Sequence, residues 1–407
     1  MTRPLHLAVA LDGAGWHPAA WRLPSARPAE LLTAGYWVDL TRRAEEGLLD
    51  LVTFEDALAL QGSTGPGGRP DGRTDEVRGR LDAVLVAARV APLTSRIGLV
   101  PTATVTHTEP FHVSKAIATL DHVSEGRAGW RAQVSPRPEE AAHFGRRDVP
   151  RLDLRQRDDP AVAQLLQDLF DEAGDAVEVV RRLWDSWEDD AEIRDVATGR
   201  FVDRDKLHPV DFAGRWFHVR GPSITPRPPQ GQPVVAALAH AAVPRAFAAR
   251  AADVVFVTPF DNAGVASDVA EIAWHREAAG REGTGQGGAG HVWADLVVSL
   301  DPDADRAQRR WQQLEAWSGR PFSSDADVFV GTPQGLADLL LARAEAGLTG
   351  FRLRPAALPD DLDAIVDALV PELQHRGAFR TAYEADTLRG LLGLSRPLNR
   401  YAAEELR

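Results

Sequence analysis

The 407-residue sequence has no cysteine, and its one methionine is Met1. Disulfides, thiolate nucleophiles, iron–sulfur clusters and Cys-ligated zinc are therefore excluded together. Long apolar runs are also missing. Leu5–Leu11 is too short to cross a bilayer and is followed by Asp12-Gly13 rather than a small-residue cleavage site, which points to a cytoplasmic protein. Positive charge is scarce: 46 Lys and Arg face 59 Asp and Glu, a formal net charge of -13. No basic face is left to neutralise a phosphate backbone, which argues against nucleic acid as a partner. The 12 histidines are scattered, with no HxH or HExxH spacing, so no metal site is expected. A GxSxG elbow, a Walker loop and a GxGxxG after a strand are likewise missing. Taken alone, the residues name no nucleophile and no ion, and an imported cofactor would fill that gap.

What is present suits a folded, enzyme-sized chain: 44% of residues are hydrophobic and 26% charged, enough for a large core. Short apolar, β-branched runs alternate with helical spacing, the mark of βα units around a parallel sheet. The strand candidates are Leu5–Leu11, Leu49–Phe54, Ile97–Pro101, Ala128–Val134, Pro233–Leu238, Asp253–Val257, Val292–Leu300 and Gly350–Leu353. Helical patterns cover Ala34–Glu46, Asp75–Ala91, Pro110–Ser124, Asp171–Trp187, Val243–Ala251, Ala263–Ala279, Asp303–Trp317, Pro333–Ala346 and Asp360–Arg376. This alternation predicts an α/β fold, a single-domain (β/α)8 TIM barrel over residues 1–407. Residues 136–232 are too long for an ordinary connection and are expected to form an insertion after strand four. The polar, Gly-rich run Gly280–Gly290 is expected to be a mobile surface loop.

In such a barrel the working face lies at the C-terminal ends of the strands. The residues there are polar: Asp12 and Trp16 after strand one, Glu55 and Asp56 after strand two, and Thr102, Thr104, Thr106 and His107 along and after strand three. Arg131, Gln133 and Ser135 close strand four, and His240 follows strand five. Each also has a plain structural meaning. Asp56 suits a cap, the threonines suit a β-branched strand end, and His107 and His240 suit structural histidines. Arg137, Arg146, Arg147 and Arg151 suit either an anionic ligand or a solvated loop.

Gly98-Leu99-Val100-Pro101-Thr102-Ala103-Thr104, Glu109-Pro110-Phe111-His112, Leu120-Asp121-His122-Val123-Ser124 and Gly126-Arg127-Ala128-Gly129-Trp130 occur in this order. Leu183-Trp184-Asp185-Ser186-Trp187, Phe247-Ala248-Ala249-Arg250 and Pro371-Glu372-Leu373-Gln374-His375-Arg376-Gly377 follow them. This series resembles the luciferase-like flavin-dependent monooxygenases, in the branch of nitrilotriacetate monooxygenase component A. The resemblance implies a bacterial-luciferase-like barrel that takes reduced FMN from a separate flavin reductase and uses it with O2 to oxygenate a small organic substrate. It also implies a dimer or tetramer. Enclosure, orientation and hydrogen bonds would then be the protein's contribution. Matched position by position, Asp56, Thr102, Thr104 and Ser135 become the cofactor-binding candidates.

Two departures stand out. Where the family has an asparagine toward the flavin, this chain has Arg131, which offers only donors. Its charge would favour an anionic reduced flavin, or its bulk would block the site. Where the family carries AGxSxxG to hold the FMN phosphate at a helix N-terminus, this chain reads Leu238-Ala239-His240-Ala241-Ala242-Val243-Pro244. Both glycines and the serine are gone, Pro244 removes a donor, and His240 becomes the replacement candidate. An Arg-Tyr pair of the family aligns with Leu169-Phe170. The alternatives are an F420-dependent oxidoreductase of the same superfamily, or a barrel that has lost flavin and binds another ligand.

Overall fold

The computed structural model describes residues 4–62, 71–152, 159–280 and 290–402. Its centre is a closed barrel of parallel strands: β1 (His6–Leu11), β2 (Leu51–Phe54), β3 (Gly98–Thr104), β4 (Gly129–Gln133), β5 (Val234–Leu238), β6 (Val254–Val257), β7 (His291–Leu300) and β8 (Gly350–Pro355). Neighbours in sequence are neighbours in the barrel, and β8 closes it by pairing its Gly350 with His6 of β1. Most of these strands are buried along their whole length, as expected where helices cover the outside and side chains fill the inside. The ends expected from the sequence lie within three residues of those observed.

The outer helices are α1 (Ala34–Glu46), α2 (Ala83–Val90), α3 (Pro110–Val123), α4 (Pro138–Phe144), α5 (Pro160–Asp185), α6 (Ala242–Ala251), α7 (Asn262–Ala278), α8 (Ala304–Ser318) and α9 (Pro333–Glu345). Their starts are set locally. Thr33, Asp82, Asp261 and Thr332 each accept a backbone N–H of the first turn, a contribution of about 1 kcal/mol apiece. The helical stretch after β8, Asp360–His375, widens into a π turn over Ile365–Leu369, and a short helix at Leu388–Leu391 follows.

Three features differ from the sequence reading. The helix expected over Asp75–Ala91 begins only at Ala83, because Gly79 takes φ +88° and Asp82 caps a fresh start. The stretch 136–232 is not wholly an insertion, for α5 runs 26 residues and takes the fourth outer position. Trp184 Nε1 donates to the Ser114 carbonyl of α3 at 3.0 Å, and Arg181 reaches the Ala251 carbonyl at the end of α6 at 3.1 Å. An extra strand, Asp327–Gly331, pairs with the outer half of β7 from Leu296 to Leu300. The Gly280–Gly290 run lies almost entirely outside the described residues.

At the N-terminal end the barrel is plugged by Ala8, Leu51, Val100, Val234, Phe256 and Trp293, with Leu388, Leu392 and Leu394 closing from below. Gly98 is required here: a Cβ would lie 2.5 Å from Leu388. Above this apolar plug the interior becomes ionic, and the opposite mouth opens into a cavity.

Candidate functional site

Four strands contribute to a buried ionic layer. Glu55, just past β2, accepts from Arg131 of β4 and from Arg352 of β8 at 2.9 Å. Asp295 of β7 accepts from Arg352 Nε at 2.8 Å and from Arg354 Nε at 3.0 Å. Arg354 extends the chain to Asp325 at 2.6 Å. These positions alternate along their strands with residues on the outer face, so the strand period itself gathers them inside. Burial pushes Arg131 down to about 10, against the pull of Glu55. Burial alone would raise Glu55 and Asp295, but the surrounding arginines outweigh it and hold both below their ordinary values. Arg352 also lies 4.3 Å over the Phe256 ring.

The cavity above this layer has a volume of about 1350 Å³, larger than one drug-sized ligand fills. Glu55, Asp56, Arg131, Gln133 and Ser135 form its floor, and His240 to Pro244 line one end with Leu169 and Phe170 of α5. Asp12, Trp16, Arg80 and Phe322 line the other end.

The structure brings Asp56, Arg131, Ser135 and His240 to this cavity. Thr102 and Thr104 lie one step away, buried beneath it. The Thr102 hydroxyl accepts from Arg131 Nε at 2.9 Å, and the Thr104 hydroxyl accepts from Gln133 Nε2 at 3.3 Å. Asp56 combines both of its readings. Its carboxylate borders the cavity and accepts the Ala57 and Ala83 N–H groups, so it also holds the start of α2. Burial raises its pKa despite those bonds. The Ser135 hydroxyl accepts the Arg137 N–H at 3.3 Å, while its own N–H donates to Thr106 at 3.0 Å. His240 is exposed. His107 takes φ +74°, stacks 5.6 Å from Phe144 and is depressed to about 4 by burial. The arginines of the 137–151 stretch all have glutamate partners: Glu140, Glu109, Glu172 and Glu139 in turn.

Sequence reasoning missed Arg80, Glu76 and Arg352. The helix expected over Asp75–Ala91 hid the first two, since a helical register turns them outward. In fact Arg80 grips Asp12 with both ends, at 2.7 and 3.2 Å. Arg352 had a signal, an arginine pair spaced by two inside an apolar strand.

A flavin tests differently at the two ends of the cavity. The ring end fits: a polar floor offers a donor from Arg131 and acceptors from Glu55 and Asp56, in a space of sufficient size. The phosphate end does not match a dianion. Ala241 gives no side-chain cap to α6, and Arg245 on its first turn is turned away to Asp268 at 2.9 Å and Glu271 at 2.7 Å. The facing α5 wall is apolar, with Phe170 5.7 Å from Phe247. Among the described residues, His240 and the first N–H groups of the helix remain as donors there.

Among the described residues no helix is long and apolar enough to cross a membrane, and no three His, Asp or Glu side chains gather as a metal site. The luciferase-like monooxygenase family model matches residues 16–350. N-acetyl-S-(2-succino)cysteine monooxygenase of Bacillus subtilis (strain 168) is 31% identical, over 98% of this chain and 99% of the relative. Nitrilotriacetate monooxygenase component A of Aminobacter aminovorans is 30% identical, over 98% of each. The crystal structure of a riboflavin lyase with modified FMN and substrate riboflavin superimposes with a TM-score of 0.83 at 26% identity, covering 98% of each chain. By sequence and by fold, the chain belongs to the luciferase-like monooxygenase family of enzymes.

Proposed function

We propose that this chain is the oxygenating component of a two-component monooxygenase: a separate reductase supplies reduced flavin, FMN in the first instance, and a small organic substrate receives one atom of O2. The observation that carries this reading is a large cavity over a polar floor, at the strand ends where a barrel does its chemistry. Bound there, the flavin supplies the activation of O2. Arg131 would donate a hydrogen bond to a flavin there, Asp56 and Glu55 would accept from it, and Ser135 and His240 are the residues that would hold its ribityl chain. Thr102 and Thr104 act from beneath by fixing Arg131 and Gln133. The guanidinium of Arg131 is neutralised by Glu55, so it positions a ligand without imposing a net positive charge. The apolar walls from Leu169, Phe170, Leu238 and Phe247 would help to shield an oxygen-reactive cofactor from unproductive breakdown. The two sequence relatives named above are monooxygenases, which favours oxygen use over an F420-dependent hydride transfer.

The test is an anaerobic titration of the purified protein with reduced FMN, followed by rapid mixing with O2. Micromolar binding that perturbs the flavin spectrum and slows its reoxidation is the expected result. An unchanged spectrum and an unchanged reoxidation rate favour instead a barrel that has left flavin chemistry.

A further inference from the structure

Resting on that reading, we infer that the substrate is an uncharged, largely apolar molecule rather than a carboxylate or a phosphate. The cavity is bordered by Arg80, Arg131, Arg137, Arg245 and Arg320. Every one of them is held by a carboxylate. Arg80 is bound by Asp12, Arg131 by Glu55, Arg137 by Glu140, Arg245 by Asp268 and Glu271, and Arg320 by Glu76. Asp56 adds a further acid whose oxygens accept backbone N–H groups. Among the described residues the lining therefore balances five arginines with five carboxylates, Asp12, Glu55, Asp56, Glu76 and Glu140, and offers no net positive charge to an anion.

An incoming carboxylate would have to pull an arginine from a partner that is already in place, or sit beside acids that burial strains. Asp12 stands above its ordinary value even with Arg80 gripping it, because burial outweighs the pair. A second anion nearby would add like-charge repulsion in a poorly solvated space. What the end near Asp12 offers freely is apolar surface. Trp16, Leu60, Val77 and Phe322 line it, and Leu60 keeps 48% of its surface exposed. His17, stacked 5.2 Å from Phe322, is depressed by burial to about 4 and adds no charge at neutral pH. An aromatic or alkyl substrate meets these surfaces without breaking an ion pair, whereas a polycarboxylate finds every arginine among the described lining residues already paired.

The test is calorimetric titration of the full chain at pH 7.5 with matched pairs on aryl and alkyl frames, such as 2-naphthamide against 2-naphthoate. The amides are expected to bind at least tenfold more tightly than their carboxylates. Asp12→Asn releases Arg80 and should improve naphthoate binding at least tenfold relative to naphthamide binding. Glu76→Gln, which releases Arg320, is the second variant should the first fail to fold. A panel in which no amide outbinds its carboxylate overturns the inference, as does naphthoate affinity that neither variant improves. Reduced FMN is titrated separately into the same preparation. Loss of flavin binding with the charge preference intact sinks the flavin reading alone.

Discussion

Glu55→Gln should unbalance the ionic layer beneath the cavity. The carboxylate accepts from Arg131, from Arg352 at 2.9 Å and from the Thr53 hydroxyl at 3.1 Å, and its side chain is 8% exposed. Glutamine keeps the volume and removes the charge, which leaves Arg131, Arg352 and Arg354 facing Asp295 and Asp325. Removing one partner of a buried pair costs about 3–5 kcal/mol. Unfolding entropy of roughly 2.1 cal/mol/K per residue gives a 407-residue chain ~0.85 kcal/mol/K, so the melting temperature should fall by about 4–6 °C. Scanning calorimetry at pH 7.5 reads this directly. The sign with pH follows from Glu55 lying below its ordinary 4.5 in the folded chain. Its stabilisation is complete above 4.5 and is lost as pH falls through the lower folded value, so wild type and variant converge on acidification. Adding Arg131→Gln restores neutrality and should recover about 1–3 kcal/mol as coupling energy. A single variant melting within about 1 °C of wild type at pH 7.5 refutes the reasoning, and so does a strictly additive double variant.

Combining Ala239→Gly, Ala241→Ser and Pro244→Gly returns flexibility, a hydroxyl and a backbone donor to the start of α6. FMN affinity in a fluorescence titration should then rise about tenfold, the yield of one charge-assisted hydrogen bond, with riboflavin affinity unchanged. An equal gain for riboflavin would place the effect away from the phosphate. Asp56→Ala removes the acceptor of the Ala57 and Ala83 N–H groups and should lower stability by about 1–2 kcal/mol. Flavin affinity that survives this change would leave Asp56 with its capping role only. Asp82→Ala uncaps α2 and should lower stability by about 1 kcal/mol while leaving ligand binding intact.

The barrel was legible because its strands are buried on both faces and so read as unbroken apolar runs. Leu7 to Leu11 and Val254 to Val257 show this directly. Helix positions were legible where spacing and caps agree, as at Ala34–Glu46. They failed at Asp75–Ala91, where Arg80 and Glu76 fit a helical pattern while Gly79 bends the chain out of it. The short strand Asp327–Gly331 escaped because its Val-Phe-Val core is half-buried and isolated. At the site, the strand-end rule reached Asp56, Arg131, Ser135 and His240. It could not reach the pairing of Arg131 with Glu55 across 76 positions of sequence, because ion-pair partners are set by register between strands and not by spacing along the chain. The same limit concealed that each arginine along 137–151 already has a glutamate.

The ionic layer has a bearing on how turnover would respond to acidity. Glu55 and Asp295 lie below 4.5 and 3.8, and Arg131 releases its proton only near 10. Between those limits the ion-paired layer of Glu55, Asp295 and Arg131 keeps one fixed charge pattern. It behaves as a proton-silent electrode under the ligand, so an inflection in a rate profile near neutrality reports on Asp56, which burial raises, on the rim or on the bound molecules themselves.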